Sequence, residues 1–520
     1  MTDTLPRIAL AEITLADEPV AASARWLSAG PAAIAVPVLA DGPRLAGPGE
    51  AVAALYGIDL LAEAERQGLS GAAGTTAPVR LPRPLPGTPE LPWAGLPETL
   101  VLLGIGDGGA AATRAAGLSL GRAVAGLGDV ALPVGDVLCA EDLRCLAEGF
   151  LLAGYRMPRT GRTAGPGRPP ATALHVVGRV DGAEDALAEA RAAARATWLT
   201  RLLAATPSSV KNPEWVARQA TALASDAPMR GGRLAVEVHD EAWLERNGME
   251  AILAVGSGSA TPPRLVVVTW EPEDVRRSVA LVGKGITFDT GGLSLKPREP
   301  MAAMKTDMAG AATVLATVLA AAELGLPVRV TAVLPLAENA MGGGSYRPGD
   351  VVRTFDGTTV EIANTDAEGR MVLADALGWS VATLDADDIV DVATLTGAAT
   401  LGLGRHHAAL YAPDDDLATA LLQAGTRAGE DAWRMPLVAD YRPALESPVA
   451  DVGHVAHDAS VGGGSIVAAL FLQRFAGGRR WAHLDIAGVG RAGKADGEVP
   501  AQAPTGYGAR LLLSWLESLA

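Results

Sequence analysis

Four acidic side chains, Asp289, Asp307, Asp366 and Glu368, sit in stretches that are otherwise apolar and glycine-rich. Such stretches become buried strand ends and tight turns, and this is what most restricts the fold. Carboxylates buried close together repel one another strongly unless cations neutralise them. Lys284, Lys296 and Arg370 share the same segments. Two divalent ions would balance the four negative charges, so the arithmetic points to a dinuclear metal site and to an enzyme.

The surrounding pattern alternates strand and helix. Early strand-like runs are 32–39, 99–104, 130–133 and 172–180, with alanine-rich helical stretches at 110–127 and 140–154. The stretch from Pro78 to Pro97 holds seven prolines and is expected to be a surface connection, not helix or central strand. From Pro207 onward, strands are expected near 233–238, 264–269, 278–282, 328–334, 388–395 and 481–486. The helices expected there lie near 214–223, 308–324, 370–384, 415–427 and 465–475. Asp356-Gly357 joins 351–355 to 358–363 as a hairpin turn. The expected fold class is α/β with two domains, each a mostly parallel sheet flanked by helices, the C-terminal one carrying the dinuclear metal site. The expected division is 1–180, a connecting helix at 181–206, and 207–520. A length of 520 residues suits two cores.

Composition narrows the function. A net charge of −16 argues against a nucleic-acid surface as the main business. The basic cluster between Arg156 and Arg168 is interrupted by Pro158 and Pro166 and reads as a solvated loop. Cys139 and Cys145 are too few and wrongly spaced for a thiolate zinc site, and they read as reduced and inert. No basic, then apolar leader opens the chain, and no uncharged apolar run of about 18 residues occurs. No membrane segment is expected, and the cytoplasm is the default compartment.

Each member of the constellation also has an ordinary reading. Asp366, Glu368 and Arg370, spaced by two, project to one side if extended; alternatively Asp366 caps a helix and Glu368 complements its dipole. Lys284 and Asp289 could form a simple salt bridge, but beside two dications the lysine amine loses its proton more easily and can act as a nitrogen ligand. Lys296 is better placed to stay protonated and polarise a carbonyl. Asp307 opens a hydrophobic helix, where an acid is favoured anyway. The histidines His406, His407 and His483 read as core or interface residues in apolar strands. Oxygen-rich ligation with one amine suits zinc, manganese, magnesium or cobalt alike.

The segments Asn364–Leu373 (NTDAEGRMVL), Gly283–Pro297, Lys305–Ala312, Tyr346–Asp350 (YRPGD), Ala393–Ala398 (ATLTGA) and Trp481–Gly488 (WAHLDIAG) closely resemble the leucyl aminopeptidase family of dinuclear metallopeptidases. The heptapeptide Asn-Thr-Asp-Ala-Glu-Gly-Arg is highly specific. The resemblance covers the chain from about Pro207 onward and is weak before it. It implies metal ligands at Lys284, Asp289, Asp307, Asp366 and Glu368, with Asp289 and Glu368 bridging, and catalytic residues at Lys296 and Arg370. It also implies a bicarbonate held by Arg370, Gly369 and Leu395, and a side-chain pocket at Met304, Thr394, Gly397 and Ala487 that favours leucine-like residues. Short peptides with a free N-terminus, a homohexamer and a macro-like, assembly or regulatory first domain follow from the same resemblance. Ala309, the run Val461–Gly464 and the tail Ala503–Gly508 depart from the family pattern and bear on specificity more than chemistry.

Three rival readings compete with this one. Gly104-Ile105-Gly106-Asp107-Gly108-Gly109 follows a strand and precedes a helix, with Asp129 about 20 residues on, as a dinucleotide site requires. In a chain with 61 glycines it reads more simply as a tight turn. A DNA-binding or regulatory role, known for some relatives, could only be additional. Gly256-Ser257-Gly258-Ser259 lacks the spacing of a nucleophile elbow and reads as a turn.

Overall fold

The computed structural model describes residues 5–520 apart from 22–23, 29, 41–43, 46, 84–90, 159–167 and 496–498. The chain divides into two compact units, Ile8–Ala194 and Arg195–Ala520, the latter joined by residues 5–7. The helix Ala183–Ala205 runs across the division.

In the larger unit the centre of the sheet is parallel. Strands Val328–Asn339, Arg277–Gly283, Asp388–Ala393 and Arg480–Asp485 lie side by side in that order, and Gly285–Asp289 adds to Val328–Asn339 in the same direction. Antiparallel strands extend both sides, Arg264–Pro272 and Gly232–His239 on one and Ala408–Tyr411 on the other. The central strands are near-continuous runs of Val, Ile, Leu and Ala, as burial on both faces demands. Helix Ala309–Leu324 covers one face. It is rich in alanine and leucine, apolar all round, and ends at Gly325 with φ +66. With its preceding turn it is long and apolar enough to cross a membrane, but 89% of that window is buried inside the protein, so it serves as a core helix.

The hairpin expected at Asp356-Gly357 is present between Val351–Arg353 and Thr359–Glu361, in a separate three-stranded sheet completed by Val452–Gly453. Its second strand leads directly into residues 364–370.

The smaller unit holds a seven-stranded sheet whose strands Glu12–Ala16, Ala173–Val177, Asp129–Pro133, Ala33–Leu39 and Thr99–Gly106 are parallel. The proline stretch is not all connection. Thr76–Arg80, including Pro78, is an antiparallel strand at the end of this sheet, where a residue without an N–H is tolerated. Residues 84–90 of that stretch and 159–167 of the basic cluster lie outside the described residues. The glycine-rich turn at 104–109 packs closely: a Cβ on Gly104 would lie 2.2 Å from the Ala72 carbonyl oxygen. Gly109 N–H donates to Asp142 Oδ1 at 2.9 Å. A protein carboxylate thus occupies the helix terminus where the dinucleotide reading needs a phosphate, and the two would repel.

Candidate metal centre

The site forms where the parallel strands end. Lys284 sits between strands Arg277–Gly283 and Gly285–Asp289, and its backbone N–H donates to Val392 O at 3.0 Å. Helix Ala309–Leu324 meets these strands backbone to backbone. A Cβ on Gly310 would lie 2.1 Å from Val392 O, and one on Gly283 would lie 2.6 Å from Ala311 Cα. This closeness brings Asp307, just before the helix, beside Lys284. The buried amine of Lys211 also donates to the carbonyls of Lys305 and Ala204, holding the turn that carries Asp307.

Residues 364–370 supply the opposite wall. The extended projection expected for Asp366, Glu368 and Arg370 does not occur. Helix Glu368–Thr383 begins at Glu368, so Glu368 and Arg370 lie in its first turn and Asp366 precedes it. Asp366 is not the helix cap either; Ala367 takes that position without a side-chain cap. Gly369 leaves the room that Lys284 occupies, since a Cβ would lie 2.5 Å from Lys284 Cε and 2.6 Å from its Nζ.

Two ion-pair clusters result. Lys284 Nζ lies 2.9 Å from both Asp307 Oδ2 and Glu368 Oε1, and donates to Thr394 O at 3.1 Å. Lys296 Nζ lies 2.7 Å from Asp289 Oδ2 and also contacts Asp366 Oδ1. Asp289, Asp366 and Glu368 each present an oxygen within 4.8 Å of the others. The six expected acids and lysines are therefore brought together, with Arg370 on the same helix turn as Glu368.

Charge is not balanced by the protein alone. Four carboxylates face two ammonium groups, and all but Asp366, which is half-buried, have little contact with solvent. Burial, reinforced by Glu368, pushes Asp289 up to about 6, and burial also raises Asp307 and Glu368. Burial opposes the Lys284 charge, yet Asp307, Glu368 and Asp289 hold the ammonium above its usual range. Asp307 Oδ2, Asp366 Oδ1 and Glu368 Oε1 are buried and are met only by the lysine ammonium groups, and the buried Glu368 Oε2 finds no partner among the described residues. Converging, hard oxygen donors with surplus negative charge fit divalent cations.

Arg370 is buried and pushed down to about 10 by that burial. Its Nη1 donates to His454 O at 2.6 Å, while its Nε finds no partner among the described residues. The His454 ring lies between the carbonyls of Asn364 and Glu361, and burial with the nearby Arg370 lowers it to about 4.

The residues expected to line a pocket lie around Asp307 and Asp485. Thr394 Oγ1 donates to Asp307 Oδ1 at 2.7 Å, and Asp307 N–H donates to Met304 O. Gly397 opens the short helix Gly397–Leu403 with open space where a side chain would be. Asp485 accepts from the backbone N–H groups of Leu395, Thr396 and Ala487 and from Thr396 Oγ1. The Leu395 N–H is thus committed to Asp485. Of the histidines, His483 is a core residue paired with Asp391, but His406 is exposed in a turn, not in an apolar strand, because the chain reverses after Leu403.

Asn339 and His454 were not singled out from the sequence, and Thr365, Tyr346 and Asp485 stood only within motifs without a role of their own, though all five hold the site in place. For Asn339 and Asp485 a signal existed: each is a polar residue closing a largely buried strand.

A mostly parallel α/β unit with a carboxylate-rich, cation-fitting centre at its strand ends marks a metal-dependent enzyme. Residues 198–513 match the catalytic domain of the cytosol aminopeptidase family. A "Probable cytosol aminopeptidase" of Leifsonia xyli subsp. xyli is 41% identical over 471 residues, 89% of this chain and 91% of that one. Another, from Streptomyces avermitilis, is 42% identical over 84% of this chain and 85% of its own. Among solved structures, the bottromycin maturation enzyme BotP in complex with Mn is 38% identical with a TM-score of 0.80, covering 94% of this chain and 100% of that one. A mutant of tomato leucine aminopeptidase is 26% identical with a TM-score of 0.82, covering 99% and 98%. The chain belongs to the cytosol aminopeptidase family, and it is a metallo-aminopeptidase acting on peptides.

Proposed function

We propose that the protein removes N-terminal residues, leucine and other apolar residues preferred, from short peptides. The reading rests above all on the three carboxylates whose oxygens converge within 4.8 Å, flanked by the buried Lys284 and the part-buried Lys296. Asp289, Asp307, Asp366 and Glu368 would hold two divalent ions, manganese or zinc first and magnesium or cobalt as alternatives, with Lys284 as the one nitrogen donor. Bound ions would supply an acidified, positioned water and polarisation of the scissile carbonyl. Asp307 receives the free α-amine of the substrate, which accounts for action at the N-terminus only. Lys296 stabilises the charge that develops on the carbonyl oxygen.

Arg370 is too basic to take a proton itself. It would instead hold a bicarbonate that relays the proton. Its partnerless Nε and the uncapped first turn of helix Glu368–Thr383, which includes Gly369, support an anion there. Leu395 can contribute only if its N–H is shared with Asp485. The side-chain pocket would be Met304, Thr394, Gly397 and Ala487. Residues 1–180 would form a domain for assembly or regulation, 181–206 a connecting helix and 207–520 the catalytic domain of a cytoplasmic homohexamer.

The test is hydrolysis of a leucyl chromogenic amide after chelation, then after adding back manganese, zinc or cobalt. Activity lost to chelator and restored by one of these ions is expected. Undiminished turnover in strong chelator would end the proposal.

A further inference from the structure

Strand Val328–Asn339 is the longest in the larger unit's sheet, and it finishes on a buried asparagine. Asn339 Nδ2 donates to Asp289 Oδ1 at 2.8 Å and to Thr365 O at 3.0 Å. Both neighbours are acceptors only, so the nitrogen and not the oxygen of the amide must face them. The same residue's backbone carbonyl accepts from Thr290 N–H and Thr290 Oγ1, each at 2.9 Å. One residue therefore ties three points: Asp289, the residue after it, and the residue just before Asp366.

The bonds fix direction as well as place. Asp289 Oδ1 accepts twice, from Asn339 Nδ2 and from Gly291 N–H, both at 2.8 Å. The other oxygen, Oδ2, is thereby turned toward Lys296 and the centre. The Thr365 carbonyl accepts a second bond from the Tyr346 hydroxyl at 3.0 Å, and Thr365 Oγ1 donates to Gly291 O at 2.7 Å. The segments bearing Asp289 and Asp366 are stitched together through Asn339 and Thr365.

The chemistry of the residue is specific. Aspartate would offer no donor and would set another carboxylate against Asp289. The amide is kept even though its Oδ1 is buried without a partner among the described residues, a sacrifice that simple packing would not require. Gly292, at φ +61, makes room: a Cβ there would lie 2.9 Å from Asn339 Oδ1.

We infer that Asn339 is a positioning residue for metal capture, setting the orientation of Asp289 and its spacing from Asp366 before any ion arrives. The inference rests on the reading of these carboxylates as metal ligands. Outer partners of ligating carboxylates commonly govern affinity by about 10- to 100-fold.

The experiment measures Mn2+ binding to the metal-stripped full chain by competition with a chromophoric chelator, alongside thermal unfolding. Asn339→Leu keeps approximate volume and removes the donor; Asn339→Ala removes both. Both should raise the Mn2+ dissociation constant by about 10- to 100-fold. Val330→Ala, a buried change near the start of the same strand, should lower the unfolding midpoint and leave that constant unchanged. The role is overturned if both Asn339 variants bind Mn2+ as the unaltered protein does, or if Val330→Ala weakens binding equally. Asn339→Ser, the mildest change, decides the matter if the others do not fold, since its hydroxyl cannot span both acceptors. If the unaltered protein binds no divalent metal, the metal reading itself has failed, which is a distinguishable result.

Discussion

Gly369 offers the sharpest test of how the centre is built. Replacing it with alanine places a carbon 2.5 Å from Lys284 Cε, 2.6 Å from Nζ and 2.7 Å from Cδ. Ordinary contact begins near 3.4 Å, so the end of the lysine must withdraw by about 0.9 Å. Its Nζ now sits 2.9 Å from Asp307 and from Glu368, and a shift of that size breaks at least one of these pairings. The helix itself gains, because alanine is favoured over glycine by up to about 1 kcal/mol. That gain offsets only part of what a broken buried pairing costs, so the fold is expected to survive with a lower melting point. Misplacing a positioned group by about 1 Å can cost about 100-fold in rate, or about 2.7 kcal/mol of barrier. The assay is kcat/KM on a leucyl chromogenic amide, with metal content by atomic absorption and a thermal melt. Gly369→Ala should lose about 100-fold in kcat/KM and bind metal poorly while still melting cooperatively, somewhat earlier than the parent because bound metal no longer stabilises it. Full activity with full metal content would refute the idea that the close approach to Lys284 matters.

Three further outcomes are expected. Glu368→Ala should lose activity and metal together; an active, metal-replete variant would remove Glu368 from the ligand set. Lys296→Met should keep its metal yet lose about 100- to 1,000-fold in kcat, as loss of one oxyanion donor does, and near-normal turnover would deny Lys296 that role. His454 is depressed to about 4 against an unfolded value near 6.5. Its contribution to stability is therefore present above about 6.5 and lost as pH falls toward 4, by about 2 kcal/mol between pH 7 and pH 5. Urea unfolding at the two pH values should show this loss reduced in His454→Gln; an unchanged difference would mean the ring does not titrate this way.

Much of the fold was legible because apolar runs punctuated by glycine and proline mark parallel strands and their crossover helices. The central strands near 278–282, 328–334, 388–395 and 481–486 fell where expected, within a few residues. What periodicity could not convey was tertiary choice. Thr76–Arg80 could pair despite Pro78 because it lies at a sheet edge. His406 reads as part of an apolar stretch, yet the turn after Leu403 leaves it exposed. At the centre, acids in improbable places gave away the cluster. Their supports did not stand out, because Asn339 and Asp485 act through backbone and side-chain partners far along the chain. Likewise, spacing alone could not decide between extended chain and helix for Glu368 and Arg370; the turn at Thr365-Asp366, closed by Ala367 N–H donating to Asn364 O, decided it.

The clustered acids and lysines span residues 284 to 368 but all belong to the Arg195–Ala520 unit. A cation bridging such distant stretches acts as a reversible cross-link, tightening only the chain segments that it joins. Each hundredfold excess of metal over its dissociation constant then adds about 2.7 kcal/mol to that unit's resistance to unfolding. Endurance against heat and proteases would thus follow the cell's metal supply, independently of how much peptide there is to cut.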